Sequence, residues 1–336
     1  MTATATWEMP TGSAHAAVLG LGIHRPVRVV PNSELVGAID SSDEWIQQRS
    51  GIKERRWVGP AETLESMTLE ASLKALDSAG IEPAQIDAVI LATCTNTQQI
   101  TSLASRIAFL LGAQSPAAFD ISAACAGFCH GLGLASDMIR GGSAKHVLVI
   151  GAERLSPLVS ETDRGTAFIF GDGAGAVVVG PSDVPGIGPV VWGSDGEQHS
   201  AIELSADWVD AFSADDPVMP HLTMDGSSVF RWAAYEMAKV AQETLDKTGI
   251  TVSDLDLFVP HQANMRITDA MAKALKLPDH VQIARDIAEQ GNTSAASIPL
   301  ALARMYADGT AHSGDLALLI GFGAGLAYAA QVVRIP

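Results

Sequence analysis

The chain has 336 residues, 47% hydrophobic and 18% charged, with 31 Gly and 16 Pro. That length suits two domains or one duplicated one, and the composition argues against disordered, collagenous and coiled-coil classes. Its 38 Asp and Glu against 21 Lys and Arg give a formal charge of −17, which repels phosphate backbones and argues against nucleic acid as a partner.

Residues 1–14, MTATATWEMPTGSA, precede the first Lys or Arg, Arg25, and hold no apolar block. They read as a loose tail rather than a signal peptide. Residues 76–90, LDSAGIEPAQIDAVI, read as an amphipathic helix, a Gly stop, a polar loop and an apolar strand. They recur without gaps at residues 245–259, LDKTGITVSDLDLFV, with five of fifteen identical at an offset of 169. A second echo, HVLVIGAE (146–153) and LALLIGFG (316–323), lies at an offset of 170. Helices alternating with continuous apolar strands predict an α/β fold with strands covered on both faces. The duplication predicts halves 1–181 and 182–336, joined at the Pro/Gly-rich SDVPGIGP.

Three cysteines, Cys94, Cys125 and Cys129, form no CxxC pair. This argues against a disulfide framework or structural zinc and fits a reducing cytoplasm. Cys94, at the strand end ILATCTN, reads as a packing residue, as do Cys129 and His130. Cys125, in AFDISAACAGFCHGLG, falls where a strand meets a helix start. There the macrodipole and free N–H groups are expected to lower the thiol below its usual 8.5 or so and make a nucleophile.

GDGAG (171–175) lacks the GxGxxG spacing and downstream acid of a nucleotide site, so close backbone approach is the better reading, as it is for GFGAG (321–325). Residues 197–224, with Asp207, Asp210, Asp215 and Asp216, break the rhythm and read as a surface excursion or a pocket wall. His261, in FVPHQANMRI, is delivered at the C-terminal end of a strand, where α/β proteins place ligands. Asn292, in EQGNTSAASIPLAL, precedes another helix. By the repeat, Ala92 matches His261 and position 123 or 124 matches Asn292, so strand-end loops from both halves are expected to bring Cys125, His261 and Asn292 together. A thiol flanked by two neutral donors suits acyl-thioester chemistry. The apolar run 316–330 is too short to span a bilayer and reads as a buried strand and turn.

SAACAGF, VPHQAN and GNTSAASIP, in this order and spacing, resemble the three signatures of β-ketoacyl-acyl-carrier-protein synthase III, a thiolase-superfamily condensing enzyme, in an actinobacterial-type version. SSDEWIQQRSGIKERR, DRGTAFIFGDGAGAVV and the terminal GFGAGLAYAAQVV resemble it as well. The resemblance implies a five-layered αβαβα thiolase-like fold and a cytoplasmic homodimer. It implies that Cys125 takes an acyl group from acyl-coenzyme A, that His261 and Asn292 hold the thioester oxygen while malonyl-acyl-carrier-protein loses carbon dioxide, and that the enolate attacks the acyl-Cys125. Neither metal nor bound cofactor is implied, coenzyme A thioester being a substrate, and neither membrane nor nucleic acid is an implied partner.

The same resemblance implies backbone oxyanion donors at Cys125 and Ala324, coenzyme A contacts at Trp45, Arg49, Arg164 and Asn264, and carrier-protein docking at Arg266 and Lys273. It implies acyl-pocket positions at Leu155, Phe170 and Phe322, with Ile100 lining the dimer partner's pocket. TNTQQITS (95–102) departs from the family's aromatic pattern and leaves the starter length open. Biosynthetic thiolase needs a second Cys where GFGAG stands, and elongating synthases use two histidines. A starter-unit ketosynthase or acyltransferase of polyketide or secondary metabolism shares every motif.

Overall fold

A computed structural model describes residues 7, 10–213 and 216–336. Most of the expected N-terminal tail, and Asp215, lie outside the described residues. Two five-stranded sheets organise the chain. The first contains β1 (His15–His24), β2 (Ala88–Ala92), β3 (Ala117–Ile121), β4 (Val147–Glu153) and β5 (Gly173–Ser182), in the order β1-β5-β4-β2-β3. The second contains β6 (Val191–Gly193), β7 (Leu257–Pro260), β8 (Gln282–Ile283), β9 (Leu316–Gly323) and β10 (Ala327–Arg334), in the order β6-β10-β9-β7-β8. Strand for strand the orders coincide, and so do the directions: the first three of each row pair antiparallel and the last three parallel. The duplication is therefore one of topology as well as sequence.

Local signals set the ends of the repeated helices. α1 (Asp43–Ser50) lies in an excursion after β1 and starts on Ser42, whose hydroxyl accepts from Trp45 N. α2 (Leu64–Ala79) starts in a reciprocal cap between Thr63 and Ser66 and stops at Gly80, φ 65°, the left-handed position that favours glycine. After β2 comes α3 (Leu103–Leu111). Past β3, α4 (Gly127–Gly141) runs through the molecule's centre. α5 (Gly226–Thr248), α6 (Met265–Leu275) and α7 (Ser297–Ala307) take the places of α2, α3 and α4 in the second half.

Packing makes five layers. α4 and α7 lie between the sheets, and Phe128, Leu132, Ile139, Ile298 and Leu302 share one core with inward residues of both. α2 and α3 cover the outer face of the first sheet, α5 and α6 that of the second. Central strands β2 and β7 are buried along their whole length, which is why their sequences read as unbroken apolar runs rather than alternating ones. Their C-terminal ends, with the turns that lead into α4 and α7, meet at one place.

Candidate active site

α4 and α7 are each preceded by a short turn, Ala124–Ala126 and Ser294–Ala296. Each turn begins with a non-glycine residue in the left-handed region, Ala124 at φ 43° and Ser294 at φ 48°, a conformation that costs energy and persists where the surroundings hold it. These turns correspond at an offset of 170, which pairs Asn292 with Ser122 rather than with position 123 or 124 as the shorter offset suggested. Close backbone approach joins the halves here. A Cβ on Gly151 would sit 2.2 Å from the Ala295 carbonyl oxygen, and one on Gly323 would sit 2.8 Å from Cys125 Cβ and 2.9 Å from its sulfur.

Cys125 stands in the turn that feeds α4, at the helix start as expected. A lowered thiol is not what results. Burial pushes it up to about 12, the Ser294 hydroxyl pulls it back, and the carboxylate of Glu153 adds to the rise. Desolvation disfavours the charged form more strongly than one helix end can favour it, and the apolar walls that desolvate Cys125 come from parts of the chain distant in sequence.

His261 follows the last residue of β7 and is 2% exposed. Its N–H donates to Ile320 O at 2.8 Å, and its ring stands edge-on to Phe322, centroids 5.3 Å apart. Nδ1 lies 2.7 Å from Ser297 Oγ, and that oxygen also receives the Gln262 N–H at 3.4 Å. This bond fixes the ring, and with the Ser297 hydroxyl as its donor the ring proton sits on Nε2. Burial lowers His261 to about 3, so at neutral pH it is an uncharged donor. Asn292 is held at both backbone ends, its N–H donating to Ile169 O and its carbonyl accepting from Gly171 N, each at 2.9 Å. Its Oδ1 accepts from Ser294 N at 2.8 Å, leaving the amide NH2 as the group it can offer to a ligand.

Cys125, His261 and Asn292 line a single cavity of about 530 Å³. Ala324 lines it too, directly after Gly323; its φ is not positive, so an alanine is accommodated there. Leu155, Phe170 and Phe322 are apolar wall residues of this cavity. Trp45, Arg49, Arg164, Asn264 and Arg266 line its outer part. The Trp45 ring carries the Arg164 guanidinium 4.7 Å from its centroid and that of Arg49 at 5.5 Å, while Phe168 meets it edge-on at 5.5 Å. Asn264 also caps α6, accepting from Arg266 N at 2.9 Å and donating to Arg49 O at 3.1 Å. Lys273 is exposed farther along α6, outside the cavity, and Ile100 lies outside it as well, 89% exposed. Of the interrupting segment, Ile202, Leu222 and Met224 supply wall while Val209, Phe212 and Val218 stand exposed, so its ends are pocket wall and its middle is a surface excursion.

Cys129 and His130 are packing residues as read: Cys129 is in the central core, and His130 stacks on Trp192 with Nδ1 against Ala126 O at 3.0 Å. Cys94 departs from its reading. It is exposed and lines the same cavity as Cys125, because β2 ends at Ala92 and the chain has left the sheet by position 94.

Glu153, Ser294 and Ser297 escaped the sequence reading. Glu153 ends β4 fully buried. Its carboxylate accepts from Thr95 Oγ1 (2.7 Å), Ser294 Oγ (3.1 Å), Thr93 Oγ1 and Cys94 N (both 3.2 Å) and Cys94 Sγ (3.3 Å). All five donors are uncharged, and burial raises the carboxyl while the hydrogen bonds oppose the rise. The one available signal was an acid closing the apolar run VLVIGAE.

The family model of 3-oxoacyl-[acyl-carrier-protein] synthase III matches residues 119–196, and the model of that family's C-terminal part matches residues 245–335. The chain is 56% identical over 336 residues to "Beta-ketoacyl-[acyl-carrier-protein] synthase III 1" of Streptomyces coelicolor, covering 97% of this chain and 98% of that one. It is 53% identical over 328 residues to the mycobacterial β-ketoacyl-[acyl-carrier-protein] synthase III of Mycobacterium marinum, covering 97% of each. Among solved structures, the priming β-ketosynthase of the R1128 polyketide biosynthetic pathway superposes with a TM-score of 0.95 at 47% identity, covering 98% of each chain. The 3-oxoacyl-[acyl-carrier-protein] synthase III of Aquifex aeolicus superposes at 0.87 with 39% identity, covering 95% of this chain and 99% of that one.

Proposed function

The chain belongs to the 3-oxoacyl-[acyl-carrier-protein] synthase III family, and we propose that it initiates type II fatty acid synthesis by decarboxylative condensation of an acyl-coenzyme A starter with malonyl-acyl-carrier-protein. The observation that carries this reading is the convergence of Cys125, a neutral His261 and the free amide of Asn292 on one cavity. Cys125 Sγ attacks the thioester carbon, coenzyme A leaves, and an acyl-Cys125 thioester remains. His261 Nε2–H and the Asn292 amide then hold the malonyl thioester oxygen while carbon dioxide departs, and their hydrogen bonds strengthen as the enolate develops. Its carbon attacks the acyl carbon, releasing Cys125 and the 3-ketoacyl product. Backbone N–H groups of Cys125 and Ala324 meet the oxyanion of each tetrahedral adduct. The donors come from the chain itself, and no metal or bound cofactor enters the scheme.

Coenzyme A occupies the outer cavity, its adenine displacing Arg164 from the Trp45 face with Arg49 and Asn264 alongside. The acyl chain lies against Leu155, Phe170 and Phe322. Arg266 and Lys273 meet the carrier protein, a local basic spot that steers an acidic partner toward a chain of charge −17. A second copy of the chain covers the edge strand β3, where Phe119 is 37%, the neighbouring Phe109 72% and Ile100 89% exposed; Ile100 then reaches the partner's acyl pocket. Unpaired cysteines suit a cytoplasmic setting. Incubation with acetyl-, branched and long-chain acyl-coenzyme A, read by intact mass with Cys125→Ala as control, tests the reading. A Cys125-dependent adduct that malonyl-acyl-carrier-protein extends supports it, and the absence of any adduct overturns it.

The likeness to the R1128 priming ketosynthase favours a second reading, a starter-unit ketosynthase or acyltransferase of polyketide or secondary metabolism. An adduct passed to another acceptor without decarboxylation selects it.

A further inference from the structure

The acylation step leaves one proton without a destination. Desolvation raises the half-buried Cys125 to about 12, so it carries its proton at neutral pH. His261, lowered to about 3 by burial, is too weak a base to hold it. Ser294 lines the cavity together with Cys125 and its hydroxyl pulls the thiol back down, and that hydroxyl lies 3.1 Å from Glu153 Oε1. No other carboxylate is hydrogen-bonded to Ser294 among the described residues. Glu153 is fully buried, with five neutral donors and no cation against it, an arrangement that structural carboxylates avoid.

We propose that Glu153, acting through the Ser294 hydroxyl, accepts the Cys125 proton as the acyl group is loaded and returns it when the ketoacyl product leaves. The proposal rests on Cys125 being the acylated nucleophile. As Sγ bonds to the thioester carbon, the Sγ proton passes to Ser294 Oγ and the serine's own proton passes to Glu153 Oε1. The adduct collapses, its bond to the coenzyme A sulfur breaks, and coenzyme A departs as thiolate to be protonated by water. In the second half-reaction the enolate carbon bonds to the acyl carbon, the acyl–Sγ bond breaks, and the thiolate recovers its proton from Ser294, which Glu153 resupplies. The raised carboxyl suits this use, since a base works best when its pKa approaches the operating pH. Ser294 has a second duty that is separable from the first: its backbone N–H fixes Asn292, while only its hydroxyl serves the relay.

The test uses Glu153→Gln and Ser294→Ala in the full-length protein. Rapid-quench acylation by an acyl-coenzyme A is followed by intact mass from about pH 6 to 9, and malonyl-acyl-carrier-protein decarboxylation is measured in parallel. Cys94, hydrogen-bonded to Glu153, and Cys125, on the same cavity wall as Ser294, are the titratable groups that face this cluster. Both variants are expected to acylate on the order of a hundredfold more slowly with decarboxylation little changed. Wild-type acylation should level off with pH, whereas that of Glu153→Gln should climb roughly tenfold per unit as hydroxide replaces the lost base. A Glu153 that merely opposes the thiolate charge predicts the reverse, faster acylation in Glu153→Gln, and that result overturns the proposal. Equal slowing of both half-reactions also overturns it, since that is what a misplaced Asn292 would give. Should Glu153→Gln fail to fold by circular dichroism, Ser294→Ala decides by the same criteria, and a rate within about threefold of wild type refutes the relay. If the wild-type protein is not acylated at all, the proposed reaction fails; if it is acylated and the variants match it, only the relay fails.

Discussion

Gly323→Ala isolates how tightly the nucleophile is held. Gly323 is extended, φ 177°, so an alanine meets no backbone penalty and the effect is steric alone. The new Cβ would lie 2.8 Å from Cys125 Cβ and 2.9 Å from Sγ, where ordinary contact starts at 3.4 Å. The difference, 3.4 − 2.8, requires an opening of about 0.6 Å at Cβ, and 3.4 − 2.9 one of about 0.5 Å at sulfur. A 1 Å error at a reacting centre costs roughly a hundredfold in rate, so a shift of this size should slow acylation on the order of tenfold, about 1.4 kcal/mol of barrier. Overpacking should lower stability by about 1–3 kcal/mol. Single-turnover acylation by quenched-flow mass spectrometry, beside thermal melts, separates the two effects. Gly196→Ala, where an added Cβ meets nothing within 4 Å, is the matched control. Wild-type acylation in a folded Gly323→Ala protein would show that the sulfur's position is not set by this contact.

His261→Ala should slow malonyl decarboxylation about 10²–10³-fold through loss of one oxyanion donor while acylation changes only a few-fold; equal loss of both, by parallel mass and carbon dioxide assays, would make the histidine the base for the thiol. Burial lowers His261 from 6.5 to about 3, so between those values the unfolded chain binds the extra proton and stability falls as pH falls. The stability difference between wild type and His261→Gln, from urea titrations at pH 7.5 and 5, should shrink by up to about 2 kcal/mol, and parallel curves would refute the neutral assignment. Lys273→Glu should lower kcat/KM for malonyl-acyl-carrier-protein severalfold at low ionic strength, with the difference vanishing in high salt; a salt-independent loss would place the effect elsewhere.

Much of this architecture could be read without coordinates because its signals are local. The Gly80 and Gly249 stops, the apolar strands after them and the Gly-rich turns each sit within a few residues, and their recurrence near offset 169 exposes the paired sheets. Cys125, His261 and Asn292 were legible because each closes a strand or opens a helix in matching parts of that repeat. Glu153, Ser294 and Ser297 were not, since their importance comes from contacts across 141 residues between Ser294 and Glu153 and 36 between His261 and Ser297. The direction of the Cys125 shift was missed for the same reason: a helix start is a local feature, whereas desolvation sums everything that folds over the sulfur.

A catalytic trio whose sulfur comes from one half of the chain and whose donors come from the other is assembled by a single polypeptide. In genetic terms, alleles lacking Cys125 and alleles lacking His261 cannot rescue one another by sharing subunits. Every mixed assembly would contain only broken sites, and activity in a heterozygous population should track the fraction of intact chains in direct proportion.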